Sequence, residues 1–139
     1  TFESMRLLSE LKLPADISNL RDFVEFVSRC AEEQGVSPGR ITEIGVATEE
    51  VLVNICSYAY QDQVGEVKIT CLLDDESRFI IEFEDTGIPF DVHRLDAPDL
   101  TDDIDERQVG GLGVFIIKEL MDEVKYRRED NKNILRLVP

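Results

Sequence analysis

The sequence predicts an α+β fold, a two-layer sandwich in which helices cover one face of a mostly antiparallel mixed sheet. The first observation is the order of elements: one strand, two helices, two strands, a long loop, one helix and two strands. The second is that both strand pairs are joined by short polar turns, "DDES" at 74–77 and "DNKN" at 130–133, as in hairpins. Because 139 residues is the usual length of one domain, we expect residues 1–139 to form a single domain.

The N-terminal part predicts one strand and one helix. Residues 5–15 ("MRLLSELKLPA") alternate apolar and polar side chains, which favours a strand ended by Pro14. Asp16 or Ser18 is a suitable N-cap for the helix that follows, in which apolar residues recur at helical spacing on one face. Gly35 is expected to end this helix.

The middle of the chain predicts a second helix and a pair of strands. Ser37 is the expected N-cap and Pro38 the first helical residue, and the helical pattern continues as far as Tyr60. Residues 66–75 and 78–85 are rich in β-branched and aromatic side chains and predict two strands. Because the turn between them is short and acidic, we expect these strands to pair with each other.

The C-terminal part begins with a polar stretch, residues 92–109, that has no clear periodicity. Loops of this length in a compact domain are usually functional or disordered. A helix is predicted over 111–124, followed by a hairpin whose strands are "VKYRRE" (124–129) and "NILRLV" (133–138). We interpret the basic residues of the first of these strands as a solvent-facing surface, with a surface for a partner as the alternative.

The formal net charge of −15 argues against nucleic acid and anionic membrane as partners, because both would repel such a surface. It is compatible with a basic or neutral protein partner, and equally with a surface that only keeps the chain in solution. Three cysteines without a C-x-x-C pair, and a single histidine, His93, favour a reducing compartment and argue against zinc or a disulfide framework. No apolar run approaches the ~18 residues of a membrane span and no signal peptide opens the chain, so we expect a cytoplasmic protein.

Glu50 and Asn54 lie four residues apart in the second predicted helix and therefore project from one face. In one interpretation they belong to a solvated polar stripe. In the other, the Asn54 carbonyl oxygen binds Mg²⁺ while Glu50 orients or deprotonates a nucleophile. Glu49 is one residue off this face and is the weaker candidate.

Asp85 and Gly87 follow the end of a predicted strand, in "EDTGIPFD" at 84–91. A carboxylate there can accept hydrogen bonds from an exocyclic amine, and a glycine lets a flat ring approach the backbone. The alternative is an ordinary turn in which Gly87 has positive φ and Pro89 follows it.

Four residues, Gly110, Gly111, Leu112 and Gly113, lie where the long loop enters the third predicted helix. Free backbone N–H groups and the helix dipole favour a phosphate at such a junction. Glycine-rich helix starts are also common without a ligand, and this one is not a P-loop because no G-K-[ST] follows.

The three motifs occur in the order E-x-x-x-N on a helix, D-x-G-x-P-F-D after a strand, and G-G-L-G after a long loop. In this order they resemble the GHKL (Bergerat-fold) ATPase superfamily. The segments "EEVLVNICSYAY", "DTGIPFD" and "GGLGVFIIKELMDEVKYRR" are most similar to the anti-sigma-factor serine/threonine kinases, and the resemblance covers nearly the whole chain. It implies a Bergerat, or histidine-kinase-like ATPase, fold that uses ATP and Mg²⁺.

The resemblance also implies a role for each motif. Asn54 matches the family's Mg²⁺ ligand and Glu50 its catalytic base. Asp85 matches the carboxylate that reads adenine, and Gly87 the glycine beneath the ring. Residues 92–110 correspond to the ATP lid. The glycines that close over the phosphates match Gly111 and Gly113, with Gly110 and Leu112 beside them in the nucleotide site.

Two features depart from the family pattern. Tyr58 replaces the histidine of "N-x-x-x-H-A-Y", which we do not expect to abolish nucleotide binding. The lid carries six acidic residues and two arginines, an unfavourable balance over a polyphosphate unless the acids face water or a partner. Arg107, the cation nearest the glycines, is the lid residue that we expect to contact phosphate.

For the whole chain, the resemblance implies phosphoryl transfer from Mg·ATP to a serine or threonine of a small STAS-type anti-sigma-factor antagonist. It also allows a sigma factor as a second partner, sequestered by a homodimer. One alternative is an ATP-dependent partner switch without phosphoryl transfer, whose binding motifs would be identical. A histidine kinase is disfavoured because the only histidine, His93, lies in the lid, and a gyrase-type hydrolase because the chain has no room for a transducer domain.

Overall fold

A computed structural model describes residues 5–60, 65–89 and 111–139. Its strands are β1 (Arg6–Pro14), β2 (Glu66–Leu73), β3 (Phe79–Asp85), β4 (Glu123–Glu129) and β5 (Lys132–Val138). Its α-helices are α1 (Leu20–Glu33), α2 (Pro38–Asn54) and α3 (Gly111–Leu120). A 3₁₀ turn at Ile17–Asn19 precedes α1, and a π-helical segment at Ile55–Ala59 extends α2.

The described strands form one sheet in the order β1-β2-β3-β5-β4, and each neighbouring pair is antiparallel. Both predicted hairpins are present, and the α+β class is confirmed. In the β4–β5 turn, Asp130 and Asn131 both have positive φ, 51° and 63°, as a type I′ turn requires. The central pairing joins β3 to β5 and places Asp85 opposite Asn133, which brings the two hairpins together.

Alternation along β3 separates the two faces of the sheet. Phe83 and Asp85 are buried on the face that the helices cover. Glu82 and Glu84 lie on the other face, where they form ion pairs with basic side chains of neighbouring strands. The largest fully buried side chains of the helix–sheet core include Phe23, Ile44, Leu52, Ile69, Ile117 and Leu137. In the three described ranges, the helices are too short or too polar to cross a membrane.

The predicted N-cap of α2 is confirmed, because Ser37 Oγ accepts a hydrogen bond from the Arg40 N–H at 3.4 Å. The prediction for α1 was right only in part. Asp16 accepts a hydrogen bond from the Ser18 N–H at 2.9 Å, which starts the 3₁₀ turn, and α1 itself begins at Leu20. The carboxylate therefore caps the turn that leads into the helix.

The third helix ends at Leu120, earlier than the predicted end at Val124. Arg40 Nη1 donates to the Leu120 carbonyl oxygen at 2.6 Å, and the Asp122 N–H donates to the Val138 carbonyl oxygen at 2.9 Å. The backbone thus exchanges helical hydrogen bonds for pairing with β5. Helical periodicity could not reveal this, because the competing partner lies at the other end of the hairpin.

Candidate functional site

The C-terminal half of α2 lies against the first turn of α3 at Gly113. A Cβ atom on this glycine would lie 2.5 Å from Glu50 Oε2 and 3.8 Å from Asn54 Nδ2. Real Cβ atoms essentially never approach another heavy atom within 3.0 Å, so the Glu50 carboxylate can occupy this position only beside a glycine. The structure therefore brings Glu50, Asn54 and Gly113 together.

The two polar side chains of α2 are partly or wholly withdrawn from water. Asn54 is 6% exposed, and its Nδ2 has no hydrogen-bond partner among the described residues. A buried polar group without a partner costs about 1–3 kcal/mol, which a ligand that pairs with this carboxamide would recover. Burial raises the pKa of the Glu50 carboxyl, and the neighbouring charge of Glu49 raises it further. Glu50 is therefore a stronger base than an exposed glutamate, whereas Glu49 is itself exposed.

Asp85 ends β3 and is only 5% exposed. Its Oδ1 accepts hydrogen bonds from the Gly87 N–H and from Asn133 Nδ2, each at 2.9 Å. Burial raises the pKa of Asp85, and the Glu84 charge adds to this, while the two hydrogen bonds and the Arg128 charge act in the opposite direction. The carboxyl group is thus fixed at the strand end by donors from two different segments.

Gly87 packs against the end of the π-helical segment. A Cβ atom there would lie 2.2 Å from the Ala59 carbonyl oxygen and 2.5 Å from Ala59 Cβ. The same carbonyl accepts a hydrogen bond from the Ile88 N–H at 2.9 Å. Gly87 does not have positive φ, so the ordinary-turn alternative is wrong in its reason for the glycine. The glycine is needed for close packing on Ala59, and its predicted place beneath a ring stays a prediction.

Tyr60 makes a second connection between the α2 extension and the strand ends. Its hydroxyl accepts a hydrogen bond from the Thr86 N–H and donates one to the Glu66 carbonyl oxygen, each at 2.8 Å. Its ring lies directly over Gly65, where a Cβ atom would come within 2.0 Å of the ring carbons. Sequence reasoning did not assign Tyr60 a role, although it is the last residue of the pattern that contains Tyr58.

A small pocket, partly open to solvent, lies between the Asn54 end and the Asp85 end of the site. Its polar lining comes from Asn54 on α2, Asp85 on β3, Tyr126 on β4 and Asn133 on β5. Its apolar lining consists of Val51, Ile55, Ala59, Ile117 and Leu135. Apolar walls with a few fixed polar groups suit a flat heterocycle, and the pocket joins the Asn54 end of the site to the Asp85 end.

The closing hairpin supplies residues that sequence reasoning missed. Asn133 Nδ2 donates to Asp85 Oδ1, while Asn133 Oδ1 accepts from the Tyr126 hydroxyl and from Arg128 Nη1. Arg128 Nη1 also donates to the Gly87 carbonyl oxygen at 2.9 Å. Arg128 is exposed, as the interpretation of this strand has it, but its guanidinium group also contacts the site. Strand alternation was the available signal, since it places residues 126 and 128 on one face.

Part of the predicted phosphate site lies beyond what can be described. Arg107 and Gly110, with the whole predicted lid at 92–110, lie outside the described residues. Gly111 is the first residue of α3, and Leu112 in its first turn has a side chain that is 43% exposed. The proposed contacts of these four residues with phosphate stay predictions.

Comparisons with known families and proteins agree with this geometry. The family model described as "Histidine kinase-like ATPase domain" matches residues 13–138. Curated relatives include proteins named serine-protein kinase RsbW from Bacillus cereus, Bacillus anthracis and Bacillus thuringiensis. Each is 27% identical over 130 residues, which is 91% of this chain and 81% of the relative.

Two solved structures share the fold at low sequence identity. The first is a crystal structure of the RsbU and RsbW domains of a Mycobacterium tuberculosis protein, with a TM-score of 0.64 and 16% identity. The match covers 94% of this chain and 32% of that one. The second is the histidine kinase domain of a blue-light activated kinase from Erythrobacter litoralis, with a TM-score of 0.54 and 18% identity. It covers 84% of this chain and 64% of the other.

Proposed function

The chain belongs to the histidine kinase-like ATPase domain family, and we propose that within it the chain is an ATP-dependent serine/threonine protein kinase of the anti-sigma type. The curated relatives named serine-protein kinase RsbW support this assignment. The observation that carries it is the meeting of Glu50, Asn54 and Gly113 beside a pocket that Asn54 and Asp85 both line. Phosphoryl transfer from a nucleotide depends on a base, a metal ligand and groups that stabilise the phosphates, and the buried carboxylate would hold the nucleotide base.

We assign Mg²⁺ to the Asn54 end of the pocket. The Asn54 carbonyl oxygen would hold the ion, while its Nδ2, which has no partner among the described residues, can only donate and suits a phosphate oxygen of the nucleotide. Within the described ranges, no three histidine, cysteine or acidic side chains cluster as a metal site. Asn54 would therefore be the residue that holds the ion at this end of the pocket. When bound, it would neutralise charge that develops on the phosphates.

We assign the role of general base to Glu50. Its raised pKa makes the carboxylate a better base. Its position beside Gly113 brings this carboxylate close to the first turn of α3, where backbone N–H groups favour phosphate. In the proposed reaction, the oxygen of a serine or threonine hydroxyl attacks the γ-phosphorus while its proton passes to the Glu50 carboxylate. The bond to the β-phosphate oxygen breaks, and ADP leaves.

We assign adenine to the Asp85 end and the phosphates to residues 110–113, under the lid at 92–110. Asp85 would accept a hydrogen bond from the exocyclic amine of adenine, while the apolar walls of the pocket would contact the ring. Arg107 in the lid would contact phosphate. Residues 1–139 would act as one domain in this scheme.

The proposed protein substrate is a small STAS-like anti-sigma-factor antagonist, and a sigma factor bound by a homodimer is a proposed second partner. The net charge of −15 favours basic or neutral protein surfaces over nucleic acid and anionic membrane. We place the protein in the cytoplasm, a setting that suits its three unpaired cysteines.

The test combines binding and transfer. Titration of the purified chain with ATP and Mg²⁺ should give saturable heat, and incubation with γ-labelled ATP should label a STAS-domain protein that co-purifies with it. Glu50→Ala should abolish labelling and leave ATP affinity nearly unchanged. Binding without labelling of any partner would instead identify an ATP-dependent binding module, and the absence of binding would refute the assignment altogether.

A further inference from the structure

The orientation of the Asn133 side chain is determined by its neighbours. Arg128 can only donate hydrogen bonds, so the Asn133 atom that lies 2.9 Å from Arg128 Nη1 must be the oxygen. The carbonyl oxygens of Gly87 and Ile88 can only accept, so the atom facing them, at 3.3 Å and 2.8 Å, must be the amide nitrogen. The Tyr126 hydroxyl then donates to the same Asn133 oxygen.

This orientation fixes the hydrogen-bonding character of Asp85. Both groups that contact Asp85 Oδ1, the Gly87 N–H and Asn133 Nδ2, are donors, so this oxygen must act as an acceptor. Within residues 5–60, 65–89 and 111–139, no group donates a hydrogen bond to Asp85 Oδ2. The two donors favour the carboxylate form of Asp85, and Oδ2 is the oxygen left for a ligand at the pocket.

The burial of Asp85, taken alone, works against its carboxylate form. Burial alone favours the protonated carboxyl group, which could donate a hydrogen bond as well as accept one. Asn133 and the positive charge of Arg128 oppose the proton, and the other charge that acts on the group is Glu84 of its own strand. Asn133 is itself 5% exposed, so water cannot easily replace its contacts.

We propose that Tyr126, Arg128 and Asn133 select the base of the nucleotide. They do so by holding Asp85 as a carboxylate that only accepts hydrogen bonds. A purine with an amino group at C6 can donate a hydrogen bond to this carboxylate. A purine with an oxygen at C6 places a second acceptor against it, and the two oxygens repel each other. This inference rests on the proposed function, since it requires that the pocket binds a purine nucleotide. Arg128 and Tyr126 act through Asn133 and are positioning residues.

The experiment compares the dissociation constants of ATP and ITP for the full chain, each with Mg²⁺, by titration calorimetry. Wild type should bind ATP at least about 10-fold more tightly than ITP. The reason is that ATP gains a hydrogen bond to the charged carboxylate, whereas the C6 oxygen of ITP is repelled by it. The double substitution Tyr126→Phe plus Arg128→Ala removes both donors to the Asn133 oxygen and lets the amide turn over. It should reduce the ATP-to-ITP preference by about 10-fold, mainly through weaker ATP binding.

Asn133→Leu tests the same point directly and should reduce the preference by a similar factor. Tyr126→Phe alone keeps the ring in the pocket wall, so it remains informative if the leucine variant does not fold. The matched control is Arg127→Ala, which removes an arginine from the same strand whose side chain pairs with Glu82 on the opposite face. This control should keep the wild-type preference.

The outcomes separate this inference from the proposed function. A wild-type chain that binds ATP but shows no preference over ITP would overturn the inference alone. Folded variants at 126, 128 and 133 that keep the full preference would do the same. A wild-type chain that binds neither nucleotide would overturn both.

Discussion

Replacing Gly87 by alanine tests the contact that sets the position of the Asp85 loop on the α2 extension. The new Cβ would lie 2.2 Å from the Ala59 carbonyl oxygen and 2.6 Å from its carbonyl carbon, so it meets backbone and not a flexible side chain. To restore ordinary contact at 3.4 Å, the loop and the π-helical segment must separate by about 1 Å. Because Gly87 does not have positive φ, the cost is steric and includes no backbone strain.

The expected loss of stability follows from two contributions. Overpacking of a tight contact costs about 1–3 kcal/mol, and the hydrogen bond from the Ile88 N–H to the Ala59 carbonyl oxygen, 2.9 Å long, is worth about 1 kcal/mol more. We therefore expect Gly87→Ala to lower the free energy of unfolding by about 2–4 kcal/mol. In a domain of this size that lowers the melting temperature by on the order of 10 °C.

The assay is urea unfolding of the nucleotide-free chain, followed by circular dichroism, so that the result does not depend on ligand binding. Gly39→Ala is the matched control, because a Cβ at this position in the first turn of α2 meets nothing within 4 Å. The control should be neutral or slightly stabilising. If Gly87→Ala unfolded at the wild-type urea concentration with the same m-value, the backbone contact with Ala59 would be refuted as the reason for this glycine.

The remaining predictions concern the α2–α3 end of the site. Glu50→Gln should slow phosphoryl transfer by about 10²–10⁴-fold while the calorimetric affinity for ATP stays nearly constant, and Glu49→Gln should keep the wild-type rate; loss of rate in both variants would contradict the assignment. The transfer rate should rise with pH through a pKa above the ~4.3 of a free glutamate, since burial and Glu49 raise the pKa of Glu50 and only the ionised form accepts the proton. A Glu50→Gln variant that retained this acidic limb would show that another group titrates. Gly113→Ala should displace the Glu50 carboxylate, because the new Cβ would lie 2.5 Å from it. Transfer should slow by about 10²-fold, while the melting temperature stays close to wild type. An unchanged rate would contradict the proposed role of this contact.

Local signals in the sequence predicted the elements well where the deciding contacts are themselves local. Ser37 caps α2 through an N–H three residues away, and the polar turn at 130–133 closes its hairpin with two residues at positive φ. The end of α3 was predicted too late, because its competing partner, Val138, comes from the following hairpin. Periodicity reports the faces of an element and carries no information on which distant strand its backbone will join.

The same distinction applies to the candidate site. Glu50 and Asn54 share a helix, so their common face followed from spacing alone. Asn133 could not be found in this way, because its contact with Asp85 spans 48 residues and exists only when β5 pairs with β3. Once that pairing is known, Arg128 follows, since it lies on β4 directly opposite Asn133 of β5.

The glycines at 87 and 113 have different physical reasons, although both were predicted to give a ligand space. At Gly113 the neighbour is the end of the Glu50 side chain, which can rotate away at little cost to the fold. At Gly87 the neighbour is the Ala59 backbone, which the Ile88 hydrogen bond holds in place. An alanine at 113 should therefore cost mainly activity, and an alanine at 87 mainly stability. Both glycines therefore have a role within the protein itself, since Gly87 lets the end of β3 pack on the α2 extension and Gly113 leaves room for the Glu50 carboxylate.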